Sequence, residues 1–431
     1  MRFAEGIFEI EGVSALQILD SRGRPTIRVC VQAAGIVGCA DAPAGASRGK
    51  HEAVELRDGG SRLMGYGVKK AVFTVENIIG PAIKGMDVRD QIGIDKKMIE
   101  LDGTSNKSKL GGNSIVATSM AVARTAAMAL GMELFSYIGG VNARYLPVPM
   151  MNVINGGVHA GNELDFQEFM IVPIGGSSFS ESIWIAAEVY MHLRKIIKEK
   201  YGLQGVNVGD EGGFAPPIKD PREALNLLSK AVEDAGYKLG SDVVFALDIA
   251  ASQMYDENKR MYKLMGEYID SRKLLEYYLK LVDEYPIKSI EDPFYEEDFE
   301  SFAELNKEFS RRKILVVGDD IYTTNPSRLS IGIEKKATTG VIVKINQIGT
   351  VTEALEFIKL ALSSNHKIVV SHRSGDTEDP FIADFAVGVG ANFIKTGAPC
   401  RGERIAKYNR LLEIEKILGD QAVYQGAGVF K

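Results

Sequence analysis

The stretch V-V-F-A-L-D at residues 243–248 decides the fold: five apolar residues with no polar alternation stop on a carboxylate. A short continuous apolar run of this kind reads as a strand buried on both faces. Five more follow. P-I-K-S-I ends at Glu291, I-L-V-V-G at Asp319, G-V-I-V at Lys344, K-I-V-V-S at His372-Arg373-Ser374 and N-F-I at Lys395. Amphipathic segments lie between them, such as S-R-K-L-L-E-Y-Y-L-K-L-V-D-E at 271–284 and V-T-E-A-L-E-F-I-K-L-A-L at 351–362. The run ends are 43, 28, 25, 28 and 23 residues apart, close to one strand plus one helix. Buried strands that all end in charged or titratable groups predict an α/β fold with a C-terminal (β/α)8-type barrel, whose reacting groups gather on one face. An open doubly wound sheet is the rival, weakened because no G-x-G-x-x-G opens a strand-to-helix turn.

Toward the N-terminus the pattern changes. Short alternating segments at 7–10, 15–19, 26–32 and 36–40 read as strands, with D-S-R-G-R-P as a turn. Helical patterns at 68–83, 88–101 and 113–130 follow. Strands then helices, without alternation, predict a smaller α+β domain over residues 1–140 and a barrel domain over 141–431. One helix is well bounded: Asp220 as N-cap, Pro221 at N1, Glu223 completing a capping box and Gly236 at the C-terminus.

Composition narrows the function class. The chain has 431 residues, 45% hydrophobic and 25% charged, with net charge −6 and no basic stripe, so nucleic acid is not an expected partner. The alanine-rich 114–132 segment contains Arg124 and reads as a buried helix rather than a membrane span. The N-terminal M-R-F-A-E-G-I-F-E-I-E has acids where a signal peptide is apolar, and a cytoplasmic location is expected. Cys30, Cys39 and Cys400 are odd in number and fit a reducing cytosol better than a disulfide framework.

Two motifs are decoys. Gly45-Ala-Ser47-Arg-Gly49 matches G-x-S-x-G but has no strand before it and no helix directly behind. His51-Glu52 begins an H-E-x-x pattern that ends in glutamate, so it is no zinc helix. What remains is a glycine-rich loop suited to closing over an anion.

Asp248, Glu291 and Asp319 form an oxygen-only set suited to a hard dication such as Mg²⁺. Taken singly, each would more often be an ion-paired surface acid. Lys344, next to dications, is expected in the neutral form a base needs. Lys395, Arg373 and Ser374 read as anion clamps. Glu168, in H-A-G-N-E-L-D-F-Q-E-F, and Glu211, in N-V-G-D-E-G-G-F-A-P-P, stand in glycine-rich surroundings as candidate proton donors. His159 shares the first of these loops, whereas His192 sits in an amphipathic segment and reads as structural. In S-I-E-D-P-F-Y-E-E-D-F (289–299), Glu291 is assigned to metal and Asp292 is left open. Glu296, Glu297 and Asp298 read as a solvated helix start.

The chain resembles the enolase family along essentially its whole length. The resemblance rests on I-L-D-S-R-G-R-P-T, N-G-G-V-H-A-G-N, N-V-G-D-E-G-G-F-A-P, S-I-E-D-P, V-G-D-D, K-I-N-Q-I-G-T, S-H-R-S-G-D-T-E-D and I-K-T-G-A-P. It implies an N-terminal α+β domain and a barrel whose first strands depart from strict alternation. The implied reaction is reversible Mg²⁺-dependent dehydration of 2-phosphoglycerate to phosphoenolpyruvate, with a Lys base and Mg²⁺ ions as is usual in that superfamily.

By the same resemblance, Lys344 removes the α-proton, and Glu211 with Glu168 helps the 3-hydroxyl leave. Asp248, Glu291 and Asp319 (not Asp320) bind one Mg²⁺, and Ser47 binds a second that arrives with substrate. Arg373 and Ser374 hold the phosphate and Lys395 the carboxylate. His159 closes over the phosphate, and Gln167 and His372 contact substrate. The partners implied are the small-molecule substrate and a second copy of the chain, as a homodimer or a larger assembly of dimers. Ala44, Arg48 and Arg24 depart from the family pattern and bear on loop motion and dimer contacts. The alternatives are a superfamily relative acting on another hydroxy acid, and a secondary binding role.

Overall fold

The computed structural model describes residues 6–46 and 49–431. The N-terminal part is a three-stranded antiparallel sheet, β1 (Ile10–Leu19), β2 (Pro25–Ala33) and β3 (Ile36–Asp41), in the order β1-β2-β3. The segments at 7–10 and 15–19, expected as two strands, are instead turn and one long strand with an irregularity between Ile10 and Gly12. Helix Gly112–Ala129 packs on β2 and β3, and nearly all of it is buried, as its alanine-rich sequence demands. Its one charged residue, Arg124, reaches out to Asp379 of the C-terminal part, with Nη2 2.5 Å from Oδ1. The helix from Lys69 to Ile83 widens into a π turn, Val75–Ile79, just ahead of Pro81, whose ring cannot donate to the helical ladder. Among the described residues no single helix is long and apolar enough to cross a membrane.

The cysteine reading fails here. Cys30 and Cys39 form a disulfide across β2 and β3, leaving Cys400 free. The reason is register. Ala34 and Gly35, both at positive φ, close a two-residue turn that pairs Ala33 with Ile36, and three steps back along each strand Cys30 faces Cys39. Alternation from the closing pair makes this a non-hydrogen-bonded site, where side chains approach most closely, and the two Cα atoms are 4.0 Å apart.

The C-terminal part is a closed eight-stranded barrel. Its strands are β4 (Val148–Asn155), β5 (Glu168–Pro173), β6 (Val243–Asp248), β7 (Ile287–Glu291), β8 (Leu315–Gly318), β9 (Gly340–Val343), β10 (Lys367–Ser371) and β11 (Phe393–Lys395). They follow one another around the ring in chain order, and β11 closes against β4. All pairings are parallel except those of β5, which runs antiparallel to both neighbours. The 43-residue first interval arises because a small antiparallel sheet, Tyr255–Asp256, Met261–Leu264 and Glu267–Ile269, is inserted after β6. Val148, Met150, Met170, Val172, Val244, Ala246, Val317, Ile342, Val369 and Phe393 fill the interior.

The helix Pro221–Asp234 has the N-cap foreseen, with Asp220 accepting from the Arg222 amide and Pro221 at its start. The capping box does not form. The Glu223 carboxylate is taken by Tyr201 Oη at 2.5 Å and Lys200 Nζ at 2.7 Å, two stronger donors than a backbone amide at the helix end.

The disulfide fixes a thiol count. Denatured, unreduced protein is expected to titrate with one thiol per chain and reduced protein with three; three without reductant would contradict the hairpin assignment.

Candidate active site

Strand alternation decides which side chains enter the barrel mouth. Val244 and Ala246 point inward, so Asp248 does also. The same two-residue step carries Val317 to Asp319, Ile342 to Lys344, Phe393 to Lys395, and, running backward along β5, Met170 to Glu168. Register then aligns the acids, with Glu168 paired with Asp248 and Asp248 with Glu291. The Lys395 ammonium sits among these three, 2.8 Å from Asp248 Oδ2, 2.8 Å from Glu291 Oε2 and 3.2 Å from Glu168 Oε1. Lys344 Nζ pairs with Asp319 Oδ2, and Gln347 Nε2 donates to Asp319 Oδ1 at 2.9 Å. All but Lys344 are buried.

These charges shift one another. Burial, then Asp248, pushes the Glu291 carboxyl well above its ordinary range. Burial, the largest single influence, would lower Lys344, but the nearby acids, Asp319 first and then Glu291, together raise the ammonium on balance. The neutral lysine is expected beside dications; among the protein's own groups alone the nearest charge is a carboxylate, which favours the ammonium. The donor set fits a hard dication: inward acids only, with Glu291 Oε1 and Glu168 Oε2 buried and without a hydrogen-bond partner among the described residues. Asp319 also clusters with Asp292 and Asp320, their oxygens within 4.8 Å of one another.

A second group lies across the mouth. Glu211 Oε1 is 3.5 Å from both His159 Nδ1 and His372 Nε2, and Asn152 Nδ2 donates to Oε2 at 3.0 Å. Burial opposes ionisation of Glu211, yet His372 and His159 hold its carboxyl well below the usual range. Burial and then Glu211 push Glu168 well above it. The two carboxyls are thereby pushed in opposite directions, Glu168 toward the protonated form and Glu211 toward the ionised one.

The third side of the cavity is basic. Arg373 donates from Nη1 and Nη2 to Glu52 at 2.9 and 3.1 Å, and Ser374 Oγ accepts from the Ala46 amide at 2.6 Å. Gly45, Ala46 and Gln167 line the same cavity as the acids, lysines and histidines, with about 20 Å³ of free volume. Ser47 and Arg48 lie outside the described residues. His192 lies on helix Phe179–Tyr201, away from the cavity.

The acidic stretch resolves by residue. Asp298 N-caps the helix Phe299–Arg312. Glu296 is not solvated: it is buried, accepts from the Lys50 amide at 3.2 Å, and burial raises its carboxyl. Asp292, on the wall of the same cavity, accepts from the amides of Asp319 at 2.9 Å and Asp320 at 2.7 Å. Sequence reasoning missed this role, along with those of Glu52, Asn152 and Gln347. Only adjacency to Glu291 or to the 45–49 loop hinted at any of them.

A family model described as the enolase C-terminal TIM barrel domain matches residues 143–431, and one for the enolase N-terminal domain matches 10–138. Proteins named enolase from Thermococcus gammatolerans, Aeropyrum pernix and Corynebacterium kroppenstedtii are 56%, 54% and 50% identical to this chain. The alignments cover 98%, 97% and 98% of this chain and 98%, 96% and 98% of those proteins.

Asp292 holds the Asp319 backbone, so Asp292→Ala is expected to weaken divalent-cation binding by about 10- to 100-fold, measured by calorimetry. Unchanged affinity would show that Asp292 does not position its neighbour.

Proposed function

The chain belongs to the enolase family, and from that membership we propose that it interconverts 2-phosphoglycerate and phosphoenolpyruvate as a hydro-lyase of glycolysis and gluconeogenesis. The observation that carries this is an opposition across the ring. Lys344 follows β9 and Glu168 opens β5, and three strands lie between them in either direction around the ring. A base and an acid pair on opposite sides of one small cavity suit removal of a proton from carbon 2 and departure of the hydroxyl of carbon 3 from opposite faces.

Each residue has a task. Lys344, as the neutral amine, takes the carbon 2 proton. A proton on Glu168, whose carboxyl burial and Glu211 push upward, passes to the departing 3-hydroxyl with the help of Glu211, so that it leaves as water. Arg373 and Ser374 hold the phosphate, and Lys395 holds the carboxylate end. His159, Gln167 and His372 orient the substrate and exclude water. Two Mg²⁺ ions, held by Asp248, Glu291 and Asp319 and by Ser47, would supply positive charge that favours both the enolic carboxylate and neutral Lys344. The chain works as a homodimer or an assembly of dimers, a reading supported by Leu16 and Leu19, exposed on the edge strand β1.

Purified protein with Mg²⁺ and 2-phosphoglycerate is expected to generate the ultraviolet absorbance of the enol phosphate and to lose it on chelation. No absorbance change would sink the proposal. Lys344→Ala is expected to slow exchange of the carbon 2 proton by at least about 10²-fold, with Mg²⁺ binding retained; undiminished exchange would remove Lys344 as the base.

A further inference from the structure

Arg404 is the largest fully buried side chain among the described residues, at 0% exposure, and no sequence signal marked it. It stands in the first turn of helix Gly402–Leu418, beneath the strand end that carries His372, Arg373 and Ser374. Its Nη1 lies 2.7 Å from His372 Nδ1 and 2.6 Å from the Arg373 carbonyl oxygen. Its Nη2 donates to the carbonyls of Ser374 at 2.6 Å and Asp210 at 3.0 Å, and to Ser21 Oγ at 3.3 Å. One guanidinium thus joins the β10 strand end, the Glu211 loop and the N-terminal part.

We propose that Arg404 is a positioning residue that fixes His372 as the Nε2–H tautomer, so that this ring presents a hydrogen-bond donor to Glu211 and to the departing hydroxyl. The chemistry of the contact requires it. A guanidinium has donors only, and it does not deprotonate in proteins. A ring nitrogen 2.7 Å from it must therefore accept, which puts the proton of a neutral imidazole on the other nitrogen. That nitrogen, Nε2, lies 3.5 Å from Glu211 Oε1. The opposite tautomer would set an N–H against Arg404 and a lone pair against a carboxylate, two repulsive contacts in a buried site. Burial lowers the His372 imidazolium to about 4 despite the opposing pull of Glu211, so the ring is neutral at pH 7.

The surroundings are shaped for this arginine. A Cβ on Gly397, at φ +80°, would lie 3.0 Å from Arg404 Cδ and 2.6 Å from the Glu211 carbonyl oxygen. Any side chain there would press on both the Arg404 stem and the Glu211 loop backbone. Tyr408 Oη in turn donates to the Gly397 carbonyl at 2.6 Å, fixing that backbone from the same helix. The catalytic consequence rests on the proposed dehydration, but the tautomer itself does not.

The test is a ¹⁵N–¹H correlation spectrum of the full chain labelled at its five histidines. The His372 signals are identified by their loss in His372→Gln. At pH 7 the wild type is expected to show Nδ1 unprotonated and Nε2 protonated, as a single tautomer. A proton on Nδ1, or an averaged pair of tautomers, would overturn the proposal. In Arg404→Met the single tautomer is expected to be lost, with kcat down about 10²- to 10⁴-fold and KM changed much less. Arg404→Lys, which keeps a donor-only group, is expected to retain the Nε2–H form and recover part of kcat. A folded Arg404→Met with wild-type tautomer and kcat removes the positioning role. Should that variant not fold, the wild-type spectrum and Arg404→Lys decide. An Nε2–H spectrum in a protein that does not dehydrate 2-phosphoglycerate would uphold the tautomer and sink the function.

Discussion

Asp248, Glu291 and Asp319 enter the mouth of the barrel from three consecutive strand ends, and the lysines Lys344 and Lys395 are drawn in among them. Taking that many carboxylates out of water is costly, and each remains charged only while an opposite charge lies close by. Lys395 neutralises one pair and Lys344 the third acid, but two lysines do not match the full count, since Glu168, Asp292 and Asp320 are within the same wall. The surplus appears as carboxyls raised far above their ordinary range at Glu168, Glu291, Asp292 and Asp320. A site built this way stores a demand for positive charge, and a dication is the compact way to meet it.

The N-terminal part closes the opposite side of that mouth. Glu52 pairs with Arg373, Arg22 donates to the carbonyls of Ala44 and Gly45, and Ala44 bridges to Gly375 by paired backbone bonds. The basic wall that would receive an anion is thereby held from both parts of the chain. Arg404 extends the same tie beneath the cavity, through Ser21 and the Ser374 carbonyl.

The barrel was legible because a parallel buried strand is a continuous apolar run and because function gathers where such runs end. Asp248, Glu291, Asp319, Lys344 and Lys395 all fell out of that one regularity. β4 and β5 escaped it: they join through a loop with one short 3-10 turn and no α-helix, and β5 is reversed, so Glu168 reaches the mouth from the start of its strand rather than its end. Asp319 and Asp320 are separable by alternation once Val317 is placed inward. Asp292 is not, since its backbone at φ 42° leaves the strand and its partners are amides. Arg404 is invisible in sequence because a buried guanidinium answers to carbonyls, which have no letter. The disulfide was legible and passed over, since a two-residue turn at Ala34-Gly35 places Cys30 opposite Cys39 by counting alone.

The most direct measurement is thermal unfolding against Mg²⁺ concentration, for the wild type and for Asp248→Asn with Glu291→Gln. Binding to the native state alone adds stability as the logarithm of free ion, about 2.7 kcal/mol at one hundred times Kd. The wild-type Tm should climb steadily with Mg²⁺, and the double variant should respond little to the ion. A wild-type Tm indifferent to millimolar Mg²⁺ would contradict the claim that the buried acids at the barrel mouth are a cation site.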